Sequence, residues 1–193
     1  PGVRPVLAVV ISWMLAHNIL YTYIAPFVAP AGMAERVDVV LLSFGIAALV
    51  GIWLTAKLVE PLLRSTVLLS LATFAAVCVA LGFGGGSPEV IYLGVAAWGL
   101  TFGGAATLLQ TALADAAGDG ADVALSLNVV AWNSAIAGSG VVGGVLLDQW
   151  GVTSFPWAML ALVAIAFAIA WGARAHGFKS GPRSVEASVV AGH

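Results

Sequence analysis

Six apolar stretches fill most of the chain, and short polar turns separate them. Hydrocarbon about 30 Å thick is crossed by roughly 20 apolar residues in an α-helix. Charged residues make up 8% of the chain, against about 25% in a soluble domain. Helix is the expected conformation because lipid offers no partner to open backbone groups. The pattern predicts an all-α membrane protein whose six transmembrane helices span residues 6–28, 37–59, 65–83, 90–114, 123–147 and 155–173.

Composition excludes several other classes of protein. The formal net charge is −2 and no basic stripe is present, which argues against nucleic acid as a partner. No metal-binding, nucleophilic or phosphate-binding motif occurs, so we predict neither an enzyme nor a cofactor or metal site. The single cysteine, Cys78, lies within an apolar stretch and is expected to pack as a small hydrophobic residue. The chain begins at Pro1 rather than at a methionine, and we expect it to be part of a longer protein.

Basic residues are divided unequally between the two sides that six crossings define. One side receives both termini and the second and fourth loops, and the other side carries Arg36. Because Lys and Arg concentrate on the cytoplasmic side, both termini are predicted to be cytoplasmic, in the plasma (inner) membrane of a bacterium. Residues 1–175 then form the bundle, and residues 176–193 form a polar tail that is expected to be disordered. The basic residues on the cytoplasmic side are Arg4, Lys57, Arg64, Arg174, Lys179 and Arg183.

Small residues recur at four-residue spacing on three of the stretches. Helices in lipid associate by close backbone contact, which small side chains permit. We therefore predict helix-packing seams at these positions, although glycines beside a membrane-embedded pocket would give the same pattern in the fourth and fifth stretches. The predicted seam residues are Ser43, Ala47, Gly51, Gly99, Gly103, Gly140, Gly143 and Gly144.

Polar side chains deep in the stretches are candidates for lining a solute cavity. His17 is the deepest ionisable group, and it should face the bundle interior or a hydrated space. There it would contact substrate or a proton, or form a hydrogen bond to a neighbouring helix. Uncharged amides and an indole suit a neutral or amphipathic organic solute, although amides also pin helices together. The predicted cavity residues are His17, Asn18, Tyr21, Gln110, Asn128, Trp132 and Asn133.

A short internal echo links the two halves of the chain. Trp13, His17 and Thr22 in the first stretch have the same spacing as Trp98, Phe102 and Thr107 in the fourth. Gly45 and Gly51 likewise match Gly138 and Gly144. Three helices repeated as the next three would have opposite topology, which is the inverted repeat of secondary transporters.

The chain resembles the C-terminal half of a major facilitator superfamily transporter, in the branch of drug–proton antiporters and arabinose-efflux-like permeases. The stretches that carry the resemblance are residues 17–27, 44–51, 98–110, 130–133 and 143–148. The resemblance implies helices seven to twelve of a twelve-helix carrier, built from a 3+3 inverted repeat. It also implies that an N-terminal six-helix half is missing and that protons are the coupling ion.

The loop after the second helix of each half in this family carries a Gly-x-x-x-Asp-Arg-x-Gly-Arg-Arg-like motif. Here it reads Leu58 to Arg64, with Glu60 at the acidic position and Pro61 where a base is expected. By the resemblance, Glu60 and Arg64 are the candidate cytoplasmic gate residues.

These observations predict proton-coupled efflux of small organic compounds, such as drugs or sugars, by alternating access in the lipid bilayer. Two alternatives remain open at this point. Six helices could be a complete protein that acts as a homodimeric carrier. The chain could also be a membrane scaffold that transports nothing.

Overall fold

The computed structural model describes residues 2–179 and residue 181, and within them the fold consists of helices joined by short turns. Several connections are single turns of 3₁₀ helix. The α-helices are α1 (Val3–Thr22), α2 (Ile24–Val28), α3 (Val37–Gly84), α4 (Pro88–Gly103), α5 (Ala105–Ala117), α6 (Ala121–Trp150) and α7 (Phe155–Gly172).

Four helical segments of the described chain are long and apolar enough to cross a membrane. They make the chain a multi-pass membrane protein. Two of them greatly exceed the roughly 20 residues that one crossing needs, because they contain 51 and 63 residues. The segments are Val3–Thr22, Ala34–Gly84, Pro88–Trp150 and Val152–Ala175.

Helix α3 runs through the position where the sequence predicts a boundary between two spans. It contains 48 residues and includes Pro61. Proline removes one backbone hydrogen bond and clashes with the preceding turn, so it kinks a helix that continues past it. The distortion falls on Leu62, whose φ of −137° and ψ of 30° are not helical. The predicted boundary between the second and third spans is therefore a kink at which two helical segments of α3 meet.

Two of the predicted spans are broken instead of continuous. The first is interrupted at Tyr23, between α1 and α2, where φ is −110° and ψ is 27°. The fourth is interrupted at Gly104, between α4 and α5. The fifth and sixth predicted stretches lie within α6 and α7, apart from a final residue, Ala173, in the turn after α7.

Helix α1 is the most buried of the four membrane-spanning segments. It packs against α5, α6 and α7, while α3 packs mainly against α4 and also against α5 and α7. The fully buried side chains of Trp13, Met14 and Trp98 lie in one continuous apolar core. Since lipid is as apolar as these side chains, close van der Waals fit is what favours this arrangement.

The contact between α3 and α4 is made backbone to backbone. A Cβ atom on Gly51 would collide with the carbonyl oxygen of Leu100, and one on Gly103 would collide with that of Ala48. Gly99 faces the carbonyl oxygen of Phe44 in the same way. Glycine is therefore required at these three positions if the two helices are to approach so closely.

Other predicted seam residues have different surroundings. Ser43 and Ala47 are half-buried, and the Ser43 hydroxyl donates to the Val39 carbonyl of its own helix. On α6, Gly143 and Gly144 face the ring and hydroxyl of Tyr23, and Gly140 accepts a hydrogen bond from that hydroxyl at 2.6 Å. A Cβ atom on Gly140 would meet nothing within 4 Å. These glycines thus surround the side chain at the break between α1 and α2.

Candidate functional site

An aromatic cluster, consisting of His17, Tyr21, Phe44, Trp98 and Phe102, lies where α1, α3 and α4 meet. Four of its members form two pairs, one pair on α1 and one on α4, and the fifth member lies on α3. His17 and Tyr21 are four residues apart on α1, as Trp98 and Phe102 are on α4, so each pair shares one helix face. Phe44 on α3 completes the cluster, with its ring 4.5 Å from that of Trp98.

His17 is at the centre of the aromatic cluster. Its ring is parallel to that of Phe102, with the centroids 3.4 Å apart and an interplanar angle of 1°. The Trp98 ring lies 5.0 Å away and the Tyr21 ring 5.4 Å away. His17 is 6% exposed, whereas Tyr21 is 45% exposed. The cluster therefore has a buried imidazole at its centre and an accessible tyrosine at its edge.

The glycine contacts between α4 and α3 determine the position of this cluster. Gly99 and Gly103 bracket Phe102, and they let α4 approach α3 closely enough for the Phe44 and Trp98 rings to touch. The break at Gly104 follows Phe102 within two residues, and the break at Tyr23 follows Tyr21 within two residues. Both helix interruptions are therefore adjacent to the cluster. Interrupted helices in membrane carriers commonly flank the solute site.

Buried polar atoms without a partner occur in and beside the cluster. Four buried side-chain atoms in the described residues have no hydrogen-bond partner. They are the indole nitrogens of Trp13 and Trp98, Nδ1 of His17 and Oδ1 of Asn128. An unsatisfied polar atom in an apolar surrounding is costly. The indole N–H of Trp98 and the imidazole of His17, whose ring centroids lie 5.0 Å apart, can together orient a ligand that carries both an acceptor and a donor.

The remaining predicted cavity residues are dispersed. The Asn18 amide donates to the Met14 carbonyl at 2.9 Å, inside its own helix. Gln110 on α5 and Asn133 on α6 are exposed, and the Asn133 amide donates to the Val129 carbonyl. Asn128 is 3% exposed and Trp132 is half-buried. No ring contact joins these α6 side chains to the aromatic cluster in the described part of the chain.

Sequence reasoning did not assign Phe44, Trp98 or Phe102 to the site. Trp98 and Phe102 were nevertheless visible as the counterparts of Trp13 and His17 in the internal echo. The structure brings one echoed pair into contact, because Phe102 stacks on His17. Trp13 and Trp98 are both fully buried, and neither indole nitrogen has a partner. Trp13 and Trp98 therefore have similar buried environments.

The two candidate gate residues lie beside the kink of α3. Glu60 is exposed. The Arg64 guanidinium donates to the carbonyl oxygens of Ala170 and Trp171 at the end of α7. Arg64 therefore binds backbone of the peripheral helix α7.

Comparisons with known proteins relate the chain to transporters. No protein-family model matches it. It is 32% identical over 167 residues to the purine ribonucleoside efflux pump NepI of Escherichia coli O157:H7, and 31% identical over 160 residues to NepI of Shigella sonnei. Each match covers 80% of this chain and 39% of the relative. The chain thus spans about two fifths of the length of these relatives.

A solved structure has a similar fold. The POT family transporter PepTSo aligns with a TM-score of 0.84 over 95% of this chain and 39% of its own length. Sequence identity is 16%, so this likeness concerns the fold alone.

Proposed function

We propose that the chain is a member of the major facilitator superfamily and forms the C-terminal half of a proton-coupled efflux carrier for small organic solutes. The similar proteins are transporters, which supports a transporter over an enzyme for this chain as well. The carrier would work by alternating access, in which two helical bundles rock about a site near the middle of the membrane. The partner of this bundle would be a six-helix N-terminal half.

Six crossings follow if the long segments are divided at their irregular points. Helix α3 contributes two crossings that meet at the Pro61 kink, and Pro88–Trp150 contributes two that meet at the turn Gly118–Gly120. A straight helix of 48 residues would be about 72 Å long, far more than the bilayer accommodates. With both termini cytoplasmic, the basic residues then follow the positive-inside rule.

The inverted repeat is supported by the stack at the centre of the bundle. Under a 3+3 repeat, His17 and Phe102 are equivalent positions, and so are Trp13 and Trp98. Equivalent residues that lie on a pseudo-two-fold axis must come close to each other. The 3.4 Å ring separation is what such an axis passing between His17 and Phe102 would produce.

The aromatic cluster carries the proposal for the solute. Aromatic rings bind flat ligands by stacking, and nearby N–H groups add orientation. Tyr21 gives the cluster an accessible edge, while His17 and Trp98 supply polar atoms that the fold leaves unpartnered. The relatives are named as purine ribonucleoside pumps, and a purine base has this flat shape with both donors and acceptors. Purine ribonucleosides are therefore the first solutes to test, before drugs or sugars.

Proton coupling is assigned to His17. Among the described residues, the middle of each apolar stretch contains no Asp, Glu, Lys or Arg. An ionisable group at membrane depth is by default a functional candidate, and histidine changes charge in the physiological range once it is hydrated. The rocking motion would give water access to His17 from one side at a time.

Transport by the complete carrier tests this function. The full reading frame would be reconstituted in vesicles with the cytoplasmic side outward and an acidic lumen, and uptake of radiolabelled adenosine would be measured. We expect accumulation that collapses when the pH gradient is dissipated, with ribose as the sugar control. If no purine ribonucleoside enters faster than in protein-free vesicles, the nucleoside assignment fails, and if drugs and sugars are also excluded, a scaffold role replaces the carrier.

The 193-residue chain alone provides the second arm of the experiment. Transport by this chain in the absence of other segments would establish the homodimeric carrier. Transport that requires the longer reading frame would support the half-carrier proposal.

A further inference from the structure

Arg64 makes an unusual set of contacts at the cytoplasmic end of the bundle. One guanidinium nitrogen, Nη1, donates to the carbonyl oxygen of Ala170 at 2.8 Å and to that of Phe178 at 3.1 Å. The other, Nη2, donates to the Trp171 carbonyl at 2.9 Å. The last four carbonyls of a helix have no partner inside the helix. In α7, Arg64 donates hydrogen bonds to two of these carbonyls, those of Ala170 and Trp171.

The segment Ala173–Phe178, which we call the return segment, folds back onto the bundle after α7. The backbone N–H groups of Gly177 and Phe178 donate to the Ala173 carbonyl, which closes a tight turn. Phe178 is 0% exposed and belongs to the apolar core. The first residues of the predicted polar tail thus pack against the helices, and the tail beyond residue 181 lies outside the described residues.

The return segment also meets the start of the chain. A Cβ atom on Gly2 would collide with the carbonyl group of His176, and one on Gly177 would lie 3.2 Å from the Gly2 carbonyl oxygen. The same Gly2 position is 2.9 Å from the Cβ atom of Ala116, near the end of α5. The return segment therefore joins the ends of α1, α5 and α7 to the kink of α3.

We propose that Arg64 is a positioning residue that fastens the return segment across the cytoplasmic end of the bundle. Phe178 anchors the segment in the core, and Arg64 ties its backbone to the kink. The consequence is that α1, α3, α5 and α7 move as one body at this end. This role differs from that of a gate residue, because the partners of Arg64 are backbone carbonyls of the same bundle.

The chemistry of the contact favours arginine over lysine. A planar guanidinium presents several N–H groups in a fixed fork, whereas an ammonium is a compact point charge. Burial lowers the pKa of the Arg64 guanidinium, and the positive charge of Arg174 lowers it further. The three carbonyl oxygens that accept hydrogen bonds from Arg64 favour its charged form at this position.

Limited proteolysis tests the fastening without any transport assay. Arg64→Gln, Arg64→Lys and Phe178→Ala would be compared with the unaltered protein in membranes, and trypsin cleavage after Arg174 would be followed by mass spectrometry. We expect cleavage to accelerate about tenfold in all three variants, because proteolysis follows the population in which the segment is released. Lys57→Gln is the matched control, since Lys57 is also a basic residue on α3 but is exposed and lies over the ring of Trp53.

The outcomes are distinct. Wild-type cleavage rates in Arg64→Gln would overturn the fastening, and so would a Lys57→Gln rate as high as that of Arg64→Gln. Rescue by Arg64→Lys would show that charge alone is sufficient and would remove the role assigned to the guanidinium fork.

A second readout concerns transport and rests on the proposed function. Because Arg64 is remote in the fold from the aromatic cluster, Arg64→Gln should lower the maximal rate severalfold and leave KM unchanged. A raised KM with an unchanged maximal rate would contradict a positioning role. If no variant and no unaltered protein transports, the proposed function fails while the proteolysis result stands.

Discussion

The imidazole of His17 and the phenyl ring of Phe102 lie parallel, 3.4 Å apart between centroids. One ring belongs to α1 and the other to α4, and each lies within six residues of a helix break. Stacking joins two residues that lie more than eighty positions apart in the sequence. Any movement of α1 against α4 must therefore alter this contact.

Substitutions at His17 separate stacking from ionisation. His17→Phe keeps a flat ring against Phe102 but removes both nitrogens, whereas His17→Ala removes the ring as well. We expect both variants to lose uptake driven by a pH gradient, by about tenfold or more if one general acid–base group is lost. Counterflow of nucleoside without a gradient should survive in His17→Phe and fall in His17→Ala. Normal gradient-driven uptake by His17→Phe would exclude His17 as the coupling group.

The glycines of the α3–α4 seam should not tolerate a methyl group. Gly103→Ala would drive its Cβ atom into the Ala48 carbonyl oxygen, and overpacking of this kind typically costs about 1–3 kcal/mol. Thermal unfolding in detergent should show a lowered midpoint. Gly45→Ala, on the same pair of helices, is the control because a Cβ atom there meets nothing within 4 Å. Equal midpoints for the two variants would contradict the close approach.

The hydroxyl of Tyr23 should stabilise the contact between α1 and α6. It donates to the Gly140 carbonyl at 2.6 Å, and a net contribution of about 0.5–1.5 kcal/mol is usual for one such bond. Tyr23→Phe is expected to lower the unfolding midpoint modestly while the ring still fills the space beside Gly143. Tyr92→Phe offers a comparison, since no hydrogen bond is shown for the Tyr92 hydroxyl. A larger loss in Tyr92→Phe would argue against this contribution.

Cysteine labelling can establish the orientation. In a Cys78→Ser background, Asp119→Cys should react with an impermeant maleimide once the membrane is opened, because the turn Gly118–Gly120 is assigned to the cytoplasm. Gly86→Cys, in the turn between α3 and α4, should react in intact cells. The reverse pattern would invert the topology, and labelling of both sites from one side would change the number of crossings.

The helical content and its approximate limits could be predicted from the sequence, whereas its irregularities could not. Apolar length alone locates helices, since it reflects the thickness of the membrane. Pro61 was expected to end a helix, and two helices do meet there, but they join directly at the non-helical Leu62 with no intervening loop. The break at Tyr23 falls one turn before Pro26, whose ring clashes with the carbonyl of Thr22, yet the sequence places the end of the first span five residues later, at Val28.

The candidate site, like the fold, could be predicted from the sequence only in part. The position of His17 in an apolar stretch was sufficient to single it out, because an ionisable group there is expensive. Its partners Phe44 and Phe102 are ordinary residues for membrane helices, and only the crossing of α3 and α4 through Gly99 and Gly103 brings them to His17. Arg64 was chosen by its place in a loop, and its contacts with α7 depend on a fold-back that periodicity does not encode.

The parallel stack of His17 on Phe102 also bears on how such a bundle could arise. In an ancestor with two identical three-helix subunits, the proposed repeat would set one side chain directly against its own copy across the dimer axis. Fusion into a single chain frees the two copies to diverge. One descendant can then keep a ring that only stacks, while the other acquires a ring that also exchanges a proton.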